Sequence, residues 1–205
     1  MSHGNPAASA DPRLARALAR IDAANDGDPT REPVPGGDAP AARLYGERMT
    51  AWLGKLAPDA SDALQVAARA QHIRRWEVPR TSYPMTKPGY HKWRTDLQKR
   101  HAEWTCDILR DLGYDEAFMG RVTALLQKRG LKTDPETQTL EDVACLVFLE
   151  FYYADFAAPH DDDKVVGILQ KTWAKMSARG QAAALTLSLP GRPGELVARA
   201  LSPAP

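Results

Sequence analysis

The stretch ETQTLEDVACLVFLEFYYADF, residues 136–156, has the composition of a helix that is buried on nearly all sides. Its apolar residues fall on every face of the 3.6-residue helical period, which is typical of the central helix of a helical protein. An unpaired carboxylate is costly to bury, so the acids of this helix are its most informative residues. Glu141 and Asp142 project from different faces, and either one could reach the interior.

The chain of 205 residues is 43% hydrophobic and 26% charged, which is an ordinary globular composition. Its two cysteines, Cys106 and Cys145, form no CxxC pair, and their scarcity favours a reducing, cytoplasmic compartment. No run approaches the roughly 18 apolar residues that a membrane span needs, and the N-terminus lacks an apolar leader region. We therefore expect a cytoplasmic protein that is neither exported nor embedded in a membrane.

Apolar spacing predicts further helices on both sides of the central one. They are expected at about residues 12–24, 41–57, 61–76, 90–112, 116–128, 162–176 and 181–189. No stretch shows the alternation of a β-strand, and no segment repeats at a fixed period. The sequence therefore predicts an all-α fold, a globular multi-helix bundle.

The predicted domain organisation follows from the segments outside these helices. Residues 1–10 are small and polar and are predicted to be a disordered N-terminus. Residues 25–40 and 77–89 are rich in Gly and Pro and are predicted to be loops within a single domain of residues 11–189. Residues 190–205 are predicted to be a flexible C-terminal tail.

Two histidines interrupt helix faces that are otherwise apolar. His72, in QHIRRW, and His101, in the predicted helix 90–112, could meet Asp142 in the core. Imidazole and carboxylate groups are suitable ligands for Mn, Fe, Co or Zn. These three residues are therefore candidate metal ligands and catalytic groups, with Glu141 as a further catalytic candidate. The alternative is a hydrogen-bonded core that holds no ligand.

Basic and aromatic residues alternate between the two histidines, where only two acids occur. The candidate ligand-binding residues there are Arg75, Trp76, Arg80, Tyr83, Tyr90, Trp93 and Arg94. A guanidinium can hold a phosphate while an aromatic ring stacks on a base, so we expect an anionic small molecule as ligand. RNA is less favoured, because the basic run is short and the pI is only about 7.8. A solvated basic surface is the alternative.

Lys171, in KTWAKMS, is a further candidate for binding an anion, although its segment is also explained by core packing. The chain contains no Walker loop, GxGxxG, HExxH or GxSxG motif. The enzyme classes that carry those motifs therefore lose support.

Six motifs along the chain carry a resemblance to a known family. They are IDAANDGDP, LYGERMTAWL, AARAQHIRRWEVPRTSYP, GYHKWRTDLQKRHAE, QTLEDVACLVFLE and KTWAKMS. With these motifs the chain resembles the family catalogued as domain of unknown function 4202, over about residues 14–185. The resemblance implies a shared fold but no particular reaction.

A second resemblance is to the HD-type metal-dependent phosphohydrolases, which are all-α proteins, and it implies an HD-like fold. AARAQHI resembles their helix with the adjacent His-Asp pair, His101 resembles the following histidine, and Asp142 resembles the late aspartate. The chain departs from that pattern at Ile73, where the pair has its aspartate. It also departs at Tyr45, where the first histidine is expected.

Two functions remain open from the sequence. The first is an HD-like hydrolase of a phosphorylated small molecule or nucleotide, in which a metal activates water and Arg75, Arg80 and Arg94 hold the phosphate. The second is a non-catalytic helical module that binds an anion, a nucleotide or RNA through the same basic and aromatic residues.

Overall fold

The structure, a computed structural model, describes residues 12–202 of the chain. These residues form ten α-helices and one short antiparallel hairpin, so the prediction of a helical bundle is confirmed. The helices are α1 (Pro12–Asn25), α2 (Ala41–Leu56), α3 (Asp62–Arg69), α4 (Lys87–Asp111), α5 (Glu116–Leu126), α6 (Pro135–Val147), α7 (Tyr153–Ala157), α8 (Asp162–Trp173), α9 (Ala178–Ala184) and α10 (Arg192–Leu201). The predicted disorder of residues 1–10 lies outside the described residues.

Helix α6 lies at the centre of the bundle, as its composition predicts, and it contacts α2, α3, α5 and α9. Its apolar residues are buried on several faces, Leu140 and Val143 on one turn and Leu146 and Val147 on the next. Burial of these side chains is a main source of the stability of the bundle. No helix within residues 12–202 is long and apolar enough to cross a bilayer.

The helix predicted over residues 136–156 is interrupted. After α6 comes a π-helical segment, Phe148–Tyr152, and only then does α7 begin. Side chains of this segment bind α2, because the Trp52 indole donates to Glu150 (2.5 Å) and Arg48 donates to the Tyr152 hydroxyl (2.7 Å). Single π-helical turns are frequent at functional sites.

The longest helix, α4, confirms the prediction of a helix over residues 90–112, although it begins earlier, at Lys87. The Thr86 hydroxyl accepts a hydrogen bond from the Gly89 amide (3.2 Å) and thereby caps the first turn. Pro88 costs this turn nothing, because an amide at that position has no partner within the helix. The helix therefore starts inside the segment predicted as the loop 77–89.

The predicted loop 25–40 is partly a β-hairpin, so the expectation that the chain forms no strand is wrong here. Strand β1 (Arg31–Val34) pairs with β2 (Gly37–Pro40) across a turn at Gly36, whose φ is +89°. Buried Asp28 fixes the hairpin to α2, because it accepts hydrogen bonds from the Thr30 and Ala42 amides (both 2.9 Å). Four-residue strands that contain proline are too short to show alternation in sequence.

Helix α3 ends at Arg69, not near Trp76 as predicted. The chain turns instead, and Arg74 adopts a left-handed conformation with φ of +49°. The Arg74 amide donates to the Asn25 side chain of α1 (3.0 Å), which holds this turn in place. The change of direction at Arg74 decides where Arg75 points.

The predicted flexible tail is wrong for residues 192–201, which form α10 and pack against α8. Leu196 and Ala200 are buried. Arg192 donates to the carbonyls of Ala157 (2.9 Å) and His160 (2.7 Å), which ties the start of α10 to the end of α7. The segment PGRPG looks unstructured in sequence, but a proline in the first helical turn is well tolerated.

Replacing Leu196 by alanine tests whether α10 is part of the core. The Leu196 side chain is only 3% exposed, so Leu196→Ala should lower the free energy of unfolding by about 2–4 kcal/mol. Urea denaturation followed by circular dichroism measures this change. Glu195→Ala, at an exposed neighbouring position, should change it by less than about 0.5 kcal/mol. Equal stability of both variants would show that α10 is only loosely attached.

Candidate functional site

The two histidines predicted to meet do lie close together. The His72 and His101 ring centroids are 6.3 Å apart, and the Tyr45 ring stacks on His72 at 3.6 Å with an interplanar angle of 15°. His72 comes from the turn after α3, His101 from α4 and Tyr45 from α2. Three separate parts of the chain therefore build the centre of the site.

Both imidazoles are neutral at pH 7. Burial, and then the positive charge of Arg75, lower the pKa of His101 to about 3. Burial also lowers the pKa of His72 well below its ordinary value, and the charges of Arg75, Lys128 and Arg94 lower it further. His101 is only 4% exposed, and its Nε2 atom has no hydrogen-bond partner among residues 12–202. A buried nitrogen without a partner is the kind of group that a ligand satisfies.

Two arginines at this site have no carboxylate partner within the described part of the chain. The Arg75 guanidinium lies 4.5 Å from the Trp93 ring centroid, and that of Arg94 lies 5.8 Å from the Tyr90 ring centroid. Burial lowers the pKa of Arg75, the nearby tyrosines Tyr45 and Tyr90 oppose that shift, and Arg94 adds to it. Arg75 stays protonated, so its charge is desolvated without being neutralised.

Other part-buried arginines of the chain have polar partners within the protein. Arg48 pairs with Glu32 (2.6 Å), Arg69 pairs with Asp22 (2.6 Å), and Arg121 pairs with Asp134 and Glu136. Arg80 has no acid partner, but its guanidinium donates to three backbone carbonyls. This contrast sets Arg75 and Arg94 apart from the arginines that stabilise the fold.

Glu141 is the carboxylate that belongs to this site. It is buried, pairs with Lys128, and lies 3.8 Å from the Lys175 amino group. Burial alone would raise the pKa of Glu141, but Lys128, Lys175 and the charge of Arg94 together more than offset that effect, and the pKa falls below its ordinary value. Glu141 is therefore ionised. Lys128 reaches it from a left-handed backbone conformation with φ of +55°.

We call His72, His101, Arg75, Arg94, Lys128, Lys175 and Glu141 the basic cluster. It contains four permanent cations and a single carboxylate, and its two imidazoles are neutral. Its formal charge is therefore about +3, although the whole chain carries only +1. His72, Arg75 and Arg94 each keep part of their surface open to solvent.

The tyrosine hydroxyls and the cysteine thiol near the basic cluster have raised pKa values. Burial raises the pKa of Tyr45, and burial together with Glu32 raises that of Tyr152 to about 12. Burial and then Glu141 raise the pKa of Cys145 to about 12. These groups are therefore protonated near neutral pH. The Tyr45 and Tyr152 rings lie 5.8 Å apart.

The structure does not bring Asp142 to the two histidines. Its oxygens accept hydrogen bonds from the Ser177 amide (2.8 Å), the Ser177 hydroxyl (2.5 Å) and the Gln138 amide group (3.0 Å). Gly180 leaves room for this carboxylate, since a Cβ there would lie 2.6 Å from the Asp142 Cγ atom. Residues 12–202 contain no group of three or more His, Cys, Asp or Glu side chains able to hold a metal ion.

Among the aromatic candidates, Tyr90 and Trp93 lie at the basic cluster. Tyr90 is 41% exposed, whereas Trp93 is buried and its indole donates to the Val78 carbonyl (2.8 Å). Tyr83 donates its hydroxyl to Asp96 (3.0 Å), and this bond holds the loop against α4. Trp76 packs beside Gly27, away from the two imidazoles.

Two basic candidates have other contacts. Arg80 donates to the carbonyls of Tyr83 (3.0 Å), Pro84 (2.8 Å) and Thr86 (3.3 Å), so its guanidinium organises the loop before α4. Lys171 is exposed on α8, and it is Lys175 that reaches Glu141.

Sequence reasoning missed Lys128 and Lys175 as members of the site. Lys128 follows the end of α5 in a segment that reads as an ordinary helix terminus, and no motif marks it. The only related signal in the sequence was the helical spacing of Glu141 and Cys145, which places the acid that binds both lysines on an otherwise apolar face.

An apolar cavity of about 270 Å³ lies elsewhere, between α8, α9 and α10. It is lined mainly by aliphatic residues together with Trp173 and Met176, and none of its lining residues is titratable. The cavity therefore does not provide the acid–base or charged groups of a reactive site.

The fold and the site define a class of protein: a helical bundle that holds an excess of positive charge around two neutral histidines. The model of the family described as domain of unknown function (DUF4202) matches residues 15–197, and the chain therefore belongs to that family. No curated protein and no solved structure matches the chain. The resemblance to HD-type phosphohydrolases stays a prediction.

Replacing Asp142 tests whether this acid is structural. Asp142 is 1% exposed, so Asp142→Asn should lower the free energy of unfolding by about 2 kcal/mol, because an amide cannot accept all three of its hydrogen bonds. Ser177→Ala should cost about 1 kcal/mol, and the double variant should lose clearly less than the sum. Urea denaturation measures all three variants, with the exposed Asp59→Asn as control. Additive losses would contradict the proposed pairing.

The histidines should make the protein sensitive to acid. Below pH ~6.5 an unfolded histidine takes up a proton, whereas folded His101, with a pKa of about 3, does not. The unfolded state then binds more protons, so the free energy of unfolding should fall as the pH drops from about 6.5 towards 3. Urea midpoints between pH ~7.5 and ~5 should show a shallower decline for His101→Gln than for the wild type.

His91→Gln is the matched control for this measurement, because His91 is exposed on the same helix. It should leave the decline unchanged. A His101→Gln decline as steep as that of the wild type would mean that His101 is protonated in the folded chain.

Proposed function

We propose that the basic cluster binds the phosphate group of a small anionic molecule. The observation that carries this proposal is the part-buried Arg75 guanidinium, which has no carboxylate partner within residues 12–202. Removing a cation from water is costly unless an opposite charge replaces the lost hydration. Since the chain pairs Arg48, Arg69 and Arg121 with its own acids, the missing counter-ion of Arg75 is best supplied by a ligand.

The donors of the basic cluster suit a phosphate. A guanidinium presents parallel N–H groups that match two phosphate oxygens, and such charge-assisted hydrogen bonds are about twice as strong as neutral ones. The unpartnered Nε2 of His101 adds a further polar atom, which donates or accepts according to its tautomer. Lys128 and Lys175 contribute longer-range attraction.

Backbone strain supports the same proposal. Arg74, which directly precedes Arg75, holds a left-handed conformation although it is not glycine, at a cost of the order of 1 kcal/mol or more. The left-handed Lys128 is the ordinary end of α5, because the Lys128 and Arg129 amides donate to the Leu125 and Ala124 carbonyls. Strain of this kind persists where a special geometry is needed.

A small molecule fits the basic cluster better than RNA does. The cluster lies among α3, α4, α5 and α6 and not along an exposed basic stripe. The net charge of +1 also gives little of the long-range attraction on which RNA-binding proteins depend.

Titration with pyrophosphate tests the proposal. Isothermal titration calorimetry at low ionic strength should show binding that weakens as salt is added. Arg75→Ala and Arg94→Ala should each weaken it by roughly tenfold or more, because each removes charge-assisted hydrogen bonds worth about 1.5–3 kcal/mol. Arg100→Ala, which removes an exposed arginine of the same helix, should have no effect.

Thermal denaturation of the same variants separates binding from folding. Arg75→Ala removes an unneutralised cation but also uncovers the Trp93 ring, so it should stay folded with a melting temperature close to that of the wild type. No pyrophosphate binding by the wild type, or unchanged binding by folded Arg75→Ala, would contradict the proposed function.

Metal-dependent hydrolysis is the second candidate function. It stays a prediction, as does the HD-like form of the fold. The three-residue metal site predicted from the sequence does not fit, because Asp142 is bound to Ser177 and Gln138. We derive no reaction step through a metal. Hydrolysis of a panel of phosphate esters with added Mn²⁺ or Co²⁺ would favour this function if turnover were lost in both His72→Ala and His101→Ala.

A further inference from the structure

Tyr90 is an exposed aromatic residue at the edge of the basic cluster. Its side chain is 41% exposed, and its ring centroid lies 5.8 Å from the Arg94 guanidinium and 5.9 Å from that of Arg80. The Trp93 ring lies 5.8 Å away on its other side. A large ring that lies near two guanidiniums and is left open to water offers a stacking surface for a planar group.

Packing explains Trp93 but not Tyr90. The Trp93 ring is buried under Arg75, and its indole hydrogen bond to Val78 is made. The Tyr90 hydroxyl has no hydrogen bond to any residue between 12 and 202. The exposed ring therefore contributes little to the fold.

Tyr90 and the buried His101 lie on the same face of α4. Tyr90, Arg94, Leu97 and His101 are spaced by four, three and four residues, so they lie in line along the helix. Tyr90 and Arg94 are about 6 Å apart along the axis, and Tyr90 and His101 are about 16 Å apart. Tyr90 at one end of this line is 41% exposed, whereas Leu97 and His101 towards the other end are 2% and 4% exposed.

Arg75 also lies close to both the exposed Tyr90 and the buried histidines. Its pKa is lowered by burial and is influenced by both Tyr45, which stacks on His72, and Tyr90. A phosphate held by Arg75 and Arg94 would therefore have Tyr90 within reach on the solvent side and His101 on the inner side.

We infer that the ligand is a nucleoside diphosphate, with its base stacked on Tyr90 and its phosphates on Arg75 and Arg94. This inference rests on the proposed function. The excess of about three positive charges suits a diphosphate, since its terminal phosphate carries about −1.5 to −2 near pH 7 and the inner one adds about −1. Stacking on an aromatic ring favours bases without selecting among them strongly.

The test compares three ligands that each contain part of the nucleotide: ADP, pyrophosphate and adenosine. Calorimetric titration of the wild type should give ADP an affinity roughly tenfold above that of pyrophosphate, since stacking of one base is worth about 1–3 kcal/mol. Adenosine alone should bind far more weakly than either. Tyr90→Ala should remove the preference for ADP and leave pyrophosphate affinity unchanged.

Two further variants make this test specific. Tyr90→Phe keeps the ring and should retain the preference for ADP, whereas His91→Ala removes an exposed neighbour on α4 and should change nothing. Retention of the preference in Tyr90→Ala would overturn the assignment of the base to Tyr90.

The possible failures are distinguishable. Equal affinities for ADP and pyrophosphate in the wild type would overturn the inference while the proposed function stands. Absence of binding by both would overturn the proposed function as well. Tighter binding of a short single-stranded RNA than of ADP would replace the nucleotide with RNA as the ligand.

Discussion

The electrostatics of the basic cluster depend on the charge of Arg75, which no carboxylate among the described residues neutralises. The Arg75 guanidinium is withdrawn from water beside Arg94 and has no carboxylate partner within residues 12–202. Burial is the main cause of the low pKa values of His72 and His101, and the field of Arg75 lowers them further, so both imidazoles stay neutral and the cluster does not gain two more positive charges. A positive charge in a region of low dielectric acts strongly on its neighbours and makes any anion that reaches it bind more tightly.

The fold positions the basic cluster by bringing short irregular segments together on a core of regular helices. The apolar surface of α6 stabilises the bundle, and the break after α3 then redirects the chain so that Arg75 meets α4. Lys128 is the left-handed residue that ends α5 in an ordinary helix cap, and it follows directly from that helix. Cooperative burial elsewhere in the bundle compensates for local strain, which is why such strain is tolerated at a site and rarely in a core.

The sequence predicted the features that depend on local periodicity. The predictions were wrong where contacts between distant segments determine the structure. Helices α4 and α6 were recognisable from apolar spacing, and the meeting of His72 with His101 followed from their burial. Helical spacing separates Glu141 from Asp142, but it cannot tell which of two partly apolar faces meets the histidines. Asp142 instead binds Ser177, 35 residues further along the chain, and no local pattern encodes that contact. The end of α3 and the folding of α10 also depend on partners that are distant in sequence, Asn25 and α8.

The distribution of the cations within the basic cluster gives the strongest physical reason to regard it as a ligand site. Glu141 pairs with Lys128 and approaches Lys175, so the compact ammonium groups are partly neutralised by the protein itself. The two planar guanidiniums are left without an acid, and their fixed fork is the geometry that matches a phosphate. A cluster built only for stability would place its carboxylate on the arginines, as the chain does for Arg48, Arg69 and Arg121. Glu141 therefore forms its ion pairs with the lysines and none with the arginines, although the charge of Arg94 also lowers its pKa. This distribution supports the proposed binding of an anion by the arginines.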